Sequence, residues 1–401
     1  MKVKQPSYYP SFRCSAGSCR DSCCIGWEIS LDSETANRYR GVEGHLGERL
    51  RQAMQVTEEN ETLFQLGPGQ RCPFLNSDGL CDLICQLGED SLGEICREHP
   101  RFYQWYPGFR EDGLGLCCEE AARLLLSQEK PLEFILTEEP DPEGEGEPLE
   151  FSPERARLLW EARSTGLRIL QNRRHPVWER LAMLLRFGRM LEGFLPVVES
   201  EAGQDCAKLY AEAERLVREY ASPDRQDGLL EMAGQIVSDS DLQDRQRMIG
   251  RILTFFSTLE PNRPVWLERL EGLRSKQALL AGSWEEIRRE GSGTVYEQLA
   301  VYFFDRYFLD SCWYWDDPMG AVAFCTLSVL LLSLLDAGTK LKKGAVSLED
   351  RIESAKSYSR EIEYSLENRE QLGEWLAENE ELQPERLIRM LTAGEQGRHF
   401  S

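Results

Sequence analysis

The sequence predicts a mainly α-helical protein in which a cysteine-rich, metal-binding N-terminal part is packed with a helical C-terminal part. Three observations carry this. Apolar residues beyond residue 150 recur at helical spacing. No stretch alternates apolar and polar residues for long enough to give a large sheet, and no strands interleave regularly with helices. Ten of the thirteen cysteines fall within the first 118 residues. The predicted organisation is a cysteine-rich region over 1–136, an acidic linker or loop over 137–150 and a helical domain over 151–401. The divide is set by "TEEPDPEGEGEPLE", which has almost nothing to bury.

The first helix beyond the linker is expected at "SPERARLLWEARSTG". There Ser152 can cap, Pro153 fits the first turn, Glu154 favours the dipole and Gly166 can end the helix. Further helices are expected over Val177–Leu195, Gln204–Tyr220, Leu229–Ser238 and Leu242–Leu259, punctuated by proline, "SPD" and "SDSD". In "TVYEQLAVYFFDRYFLD", Tyr296, Leu299, Ala300, Phe303, Phe304, Tyr307 and Phe308 share one helical face, the pattern of core packing. The functional reading of the same aromatics is a cage for a cation, with Tyr302 and Tyr307 as cofactor-binding candidates.

After "WDDP", Asp317 can cap and Pro318 can start a helix running to Gly338. Its most apolar run, Ala321 to Leu335, is shorter than the ~20 residues a bilayer requires, so a buried central helix is expected and membrane association is not predicted. "YSREIEYSLENREQL" reads as charged surface helix.

At 401 residues with 41 % hydrophobic content, the chain can build real cores without covalent staples. No charged, apolar and cleavable leader opens the sequence, which reads as cytoplasmic. Reducing compartments keep thiols free, and clustered cysteines there are more often ligands or redox groups than disulfides. A net charge of -22 opposes binding to the nucleic acid backbone and would attract a basic protein substrate, although acidity also serves solubility alone.

Cys14, Cys19, Cys23 and Cys24 follow a C-x4-C-x3-C-C pattern, short enough for several thiolates to converge. Cys23 and Cys24 are adjacent and need not point at the same metal. Cys72, Cys81, Cys85, Cys96, Cys117 and Cys118 form a second group, and "NSDG" makes a turn that lets Cys72 and Cys81 approach across a hairpin-like loop. His99 is the one histidine well placed to join them. The competing reading is buried free thiols. Zinc and iron–sulfur are both open, because each takes four thiolates and the spacings match neither common pattern.

Taken together, "YYPSFRCSAGSCRDSCCIGWEISLD", "RCPFLNSDGLCDL", "ICREHPRFY", "CCEEAARLLL", "VYFFDRYFLD" and "YSREIEYSLENREQL" resemble the bacterial flagellin lysine-N-methylase family, and the front half resembles its cysteine-rich, zinc- or iron-chelating group. The resemblance implies Cys14, Cys19, Cys23, Cys24, Cys72, Cys81, Cys96 and Cys118 as metal ligands, with Cys85 and Cys117 as extras. It further implies N-methylation of lysine on flagellin as protein substrate, S-adenosylmethionine as methyl donor and a [4Fe-4S] cluster, with zinc as the alternative metal. No catalytic residue is assigned. Neither G-x-G-x-x-G after a strand nor the C-x3-C-x2-C run of radical enzymes is present. The rival expectation is a non-catalytic iron- or zinc-binding adaptor, and the oligomeric state is open.

Overall fold

The computed structural model describes the chain except residues 21, 107, 141–152, 201–205, 235–241, 291–292, 379–382 and 393–401. Two compact units emerge, Met1–Leu124 with Phe134–Asp141, and Leu125–Glu133 with Pro142–Ser401.

The first unit holds strands that sequence windows did not reveal. Lys2–Pro6 pairs parallel to Phe109–Leu114 and antiparallel to Phe134–Glu138, and Arg101–Tyr106 completes a four-stranded sheet. A smaller sheet joins Ser30–Leu31, Thr62–Phe64 and Met54–Val56. Each strand is at most six residues long, and the central pairing joins residues about a hundred positions apart, so no local alternation announces the sheet. Thr137 and Glu138, expected to open the linker, instead end the strand Phe134–Glu138; the expected cap at Ser152 lies outside the described residues.

The second unit is helical, as the apolar periodicity predicts. The helix Pro153–Leu170 does not stop at Gly166. That glycine is spent on a close approach: a Cβ there would lie 2.3 Å from the Phe304 ring. Val177–Ser200 starts where expected and runs past Leu195, and Cys206–Glu219 matches its expected position, Gln204 and Asp205 lying outside the described residues. The helix expected from Leu229 to Ser238 begins earlier, within Pro223–Gly234, because Pro223 of "SPD" opens it rather than breaking the chain; residues 235–238 lie outside the described residues. Leu242–Phe256 is slightly shorter than expected.

The two central helices are Gly293–Trp315 and Pro318–Lys343. All seven residues of the aromatic stripe from Tyr296 to Phe308 are buried. Asp317 caps the second helix by accepting from the Gly320 backbone N–H at 2.7 Å, as its position predicts. That helix runs past Gly338 to Gly344, whose left-handed φ of 84° ends it. Although it is long and apolar enough to span a bilayer, 89% of its most apolar window is buried inside the protein.

The expectation of charged surface helix at "YSREIEYSLENREQL" holds for its second half, where the helix Leu366–Glu378 exposes Glu367 and Glu370, and is overturned for its first half. Ser359–Glu363 forms a π-helical turn in which Ser359, Arg360, Glu361 and Glu363 are all buried. Their charges are met inside the fold: Glu361 accepts from the Asn262 N–H at 2.6 Å, and Glu363 takes part in the cluster described below.

Candidate functional site

The cysteine-bearing loops of the first unit are held by backbone hydrogen bonds. The Cys72 N–H donates to the Cys24 carbonyl at 2.8 Å and Gly26 N–H to the Gln70 carbonyl at 2.9 Å, so "SCCIG" lies along "QRC". The hairpin-like loop expected between Cys72 and Cys81 is present. Asn76 Oδ1 accepts from the N–H groups of Asp78 and Leu80, both at 3.0 Å, and Gly79 supplies the positive φ of 74°. Leu75 and Cys81 close the loop as a bridge, and Arg71 clamps it by donating to the Leu75 and Asn76 carbonyls. Arg20 donates from its backbone N–H at 3.2 Å and from Nε at 2.7 Å to the Glu119 carboxylate, which fastens the loop carrying Cys19 beside Cys118.

Cys14 is exposed, Cys72 is buried, and Cys19, Cys23, Cys24, Cys81, Cys96 and Cys118 are half-buried. The two extras differ: Cys85 is exposed, while Cys117 is buried with its thiol 3.9 Å from the Gly115 carbonyl. His99 packs edge-on against Trp27, with ring centroids 6.1 Å apart.

Burial pushes the Cys72 thiol up to about 11 and the Cys96 thiol up to about 12, and neighbouring thiols add to both shifts. Cys81 and Cys118 rise for the same leading reason. Cys23 rises because its thiol is hydrogen-bonded to Cys24, whose own value that bond lowers, with help from Ser22 and the Arg71 cation. Nearby backbone N–H groups partly offset these rises: those of Phe74 and Leu75 for Cys72, of Ile84 and Leu83 for Cys81, and of Ala121 and Glu120 for Cys118.

Such donors suit thiolates that ligate a metal, because they spread the sulfur charge and fix its direction. The donor set therefore fits a thiolate-bound metal in its chemistry. Its geometry is not closed: among the described residues, no group of three or more His, Cys, Asp or Glu side chains stands in the arrangement of a formed metal site. The expected metal-binding N-terminal part thus appears as cysteine-bearing loops held together by backbone hydrogen bonds, without a formed metal site among the described residues.

In the second unit, Tyr302 and Tyr307 do meet a cation, and it is the protein's own. Both hydroxyls donate to Glu363 Oε1, at 3.0 and 2.9 Å, and Arg306 Nη1 donates to the same oxygen at 3.1 Å. The Arg306 guanidinium lies 5.8, 5.2 and 5.5 Å from the ring centroids of Tyr302, Tyr307 and Tyr364. Glu363 Oε2 is buried without a hydrogen-bond partner among the described residues. Sequence reasoning picked the two tyrosines and missed Arg306 and Glu363. The available signal was an arginine set inside an aromatic run, with an acidic turn in a distant block to balance it.

A family model described as "FliB lysine N-methylase C-terminal domain" matches residues 163–390, more than half of the chain. Two proteins named lysine-N-methylase, from Salmonella typhimurium and Salmonella choleraesuis, are each 29% identical over 133 residues, which is 31% of this chain and 32% of theirs. The chain thus spans about a third of the length of these curated relatives. A flagellar biosynthetic protein FliU from Salmonella muenchen is 27% identical over 136 residues, 31% of this chain and 77% of that protein. No solved structure matches.

Proposed function

The chain belongs to the FliB lysine N-methylase family, and on that premise we propose that it is a cytoplasmic, S-adenosylmethionine-dependent N-methylase of lysine side chains on flagellin, whose N-terminal cysteines hold an iron–sulfur cluster. The observation that carries the reading is the family match across residues 163–390. The names of the relatives, lysine-N-methylase and flagellar biosynthetic protein, support the reaction and the substrate.

In the simplest route a nitrogen–methyl bond forms as the sulfonium–methyl bond breaks, and the amine loses its proton. The lysine must enter neutral and aligned, which burial or a base achieves. The net charge of -22 draws lysine-bearing segments towards the protein. Cys14, Cys19, Cys23, Cys24, Cys72, Cys81, Cys96 and Cys118 would hold the cluster. Once bound, it supplies a structural cross-link or an open iron position for a ligand.

The test is co-expression of this chain with flagellin from its own host, followed by mass spectrometry of the flagellin. Methylated lysines are expected with the chain and not without it. Flagellin with no added methyl mass, despite abundant soluble protein, would favour a metal-binding adaptor instead.

A further inference from the structure

We infer that Glu363 and Arg369 hold the amino-acid end of the methyl donor beside Tyr302 and Tyr307, Glu363 taking the α-ammonium and Arg369 the α-carboxylate. This rests on the proposed methylase reading, and it assigns a recognition site for the donor where the sequence carries no nucleotide-binding motif.

The site is built on the π-helical turn Ser359–Glu363, a rare local geometry that recurs at functional sites. Residues beyond the turn fix it. Asn262 Nδ2 donates to the Arg360 carbonyl at 2.9 Å, the Asn262 backbone N–H donates to the Glu361 carboxylate at 2.6 Å, and Asn368 Nδ2 donates to the Glu361 carbonyl at 2.8 Å. Glu363 is thereby positioned before a ligand arrives.

Only half of the Glu363 carboxylate is used. Oε1 accepts from Tyr302, Tyr307 and Arg306, whereas Oε2 is buried with no hydrogen-bond partner among the described residues. A buried carboxylate oxygen left without a donor is unfavourable, so it calls for an N–H from outside this set. Arg369 has the opposite need. Its guanidinium lies 5.7 Å from the Tyr307 ring centroid, its Nε is buried with no hydrogen-bond partner, and it forms no ion pair among the described residues. Asp310 feels its charge without bonding it. One acceptor and one cation, both incomplete, therefore meet at Tyr307.

Together they are complementary to one chemical class, a zwitterionic α-amino acid. Its ammonium supplies the N–H groups that Oε2 lacks, and its carboxylate accepts from the guanidinium through charge-assisted hydrogen bonds. A lone ammonium, such as a substrate lysine, would satisfy Glu363 and leave Arg369 unmet; a lone anion would do the reverse. S-Adenosylmethionine carries a zwitterionic end, and so does a free amino acid. The rim of the cluster meets solvent, since Tyr364 is exposed and Arg306 and Arg369 are half-buried.

The experiment measures binding to the full chain, isolated without oxygen, by equilibrium dialysis with labelled probes. S-Adenosylhomocysteine has the amino-acid end, methylthioadenosine lacks it, and L-methionine has it without the nucleoside. S-Adenosylhomocysteine is expected to bind most tightly, and Glu363→Gln and Arg369→Gln are each expected to weaken it by about tenfold or more while leaving methylthioadenosine unchanged. Glu363 also neutralises Arg306, so thermal unfolding checks that its variant folds; Arg369→Gln, at the rim, decides the matter if it does not. Folded variants that bind S-adenosylhomocysteine like the wild type, or a wild type that holds it no more tightly than methylthioadenosine, would overturn the inference while leaving the methylase reading intact. Binding of L-methionine alone would assign the site to a free amino acid and overturn it too. A wild-type chain that binds none of the probes would contradict the S-adenosylmethionine reading on which the inference rests.

Discussion

Glu297 is fully buried and is met by two arginines, Arg173 at 2.9 Å and Arg180 at 2.6 Å. A buried carboxylate removed from such a pair leaves two uncompensated cations, which costs about 3–5 kcal/mol. Glu297→Ala is expected to lower stability by that order in urea unfolding, and a loss near zero would show that water reaches the site. His175 gives a pH signature. Its ring nitrogens face Glu179 at 3.0 Å and Asp227 at 2.7 Å, and these partners raise it above its ordinary 6.5. A raised folded-state value means the stabilisation is complete below about 6.5 and is lost as pH rises through the folded value. His175→Gln is therefore expected to cost more stability at pH 6 than at pH 9, and equal losses at the two would contradict the linkage. At this scale the sequence revealed residue types better than partners. The cysteines were legible because clustered thiols are chemically unusual, whereas Arg306 and Glu363, 57 residues apart, become partners only in three dimensions.

Helix ends were the least legible elements. Gly166 reads as a stop because glycine is a poor helix former, yet it lies inside Pro153–Leu170 because the Phe304 ring occupies the space of a side chain. Gly166→Ala is accordingly expected to destabilise by about 1–3 kcal/mol through overpacking, although alanine favours a helix by about 1 kcal/mol over glycine. A more stable variant in thermal unfolding would show that the ring can move aside. Caps were read well where a side chain alone makes them, as at Asp317. The buried π-helical turn at Ser359–Glu363 was misread because four polar or charged residues in five look like a solvated face; their burial depends on Asn262, Tyr302, Tyr307 and Arg306, far away in sequence.

Across the whole molecule, the mainly helical class was legible from periodicity, and so was the burial of the apolar helix Pro318–Lys343. The four-stranded sheet was not, since its strands are short and join the two ends of the first unit. The clustering of cysteines in the N-terminal part is legible in their spacing, while the backbone bonds and the Arg20–Glu119 clamp that hold their loops are not, because they join residues far apart in sequence. The chemistry proposed for this protein is transfer of a methyl group to lysine. The most direct measurement is incubation of anaerobically purified, metal-replete protein with flagellin from its own host and S-adenosylmethionine labelled in its methyl group. Label recovered on flagellin lysines is the expected result; a sample that carries its metal and leaves flagellin unlabelled would contradict the account.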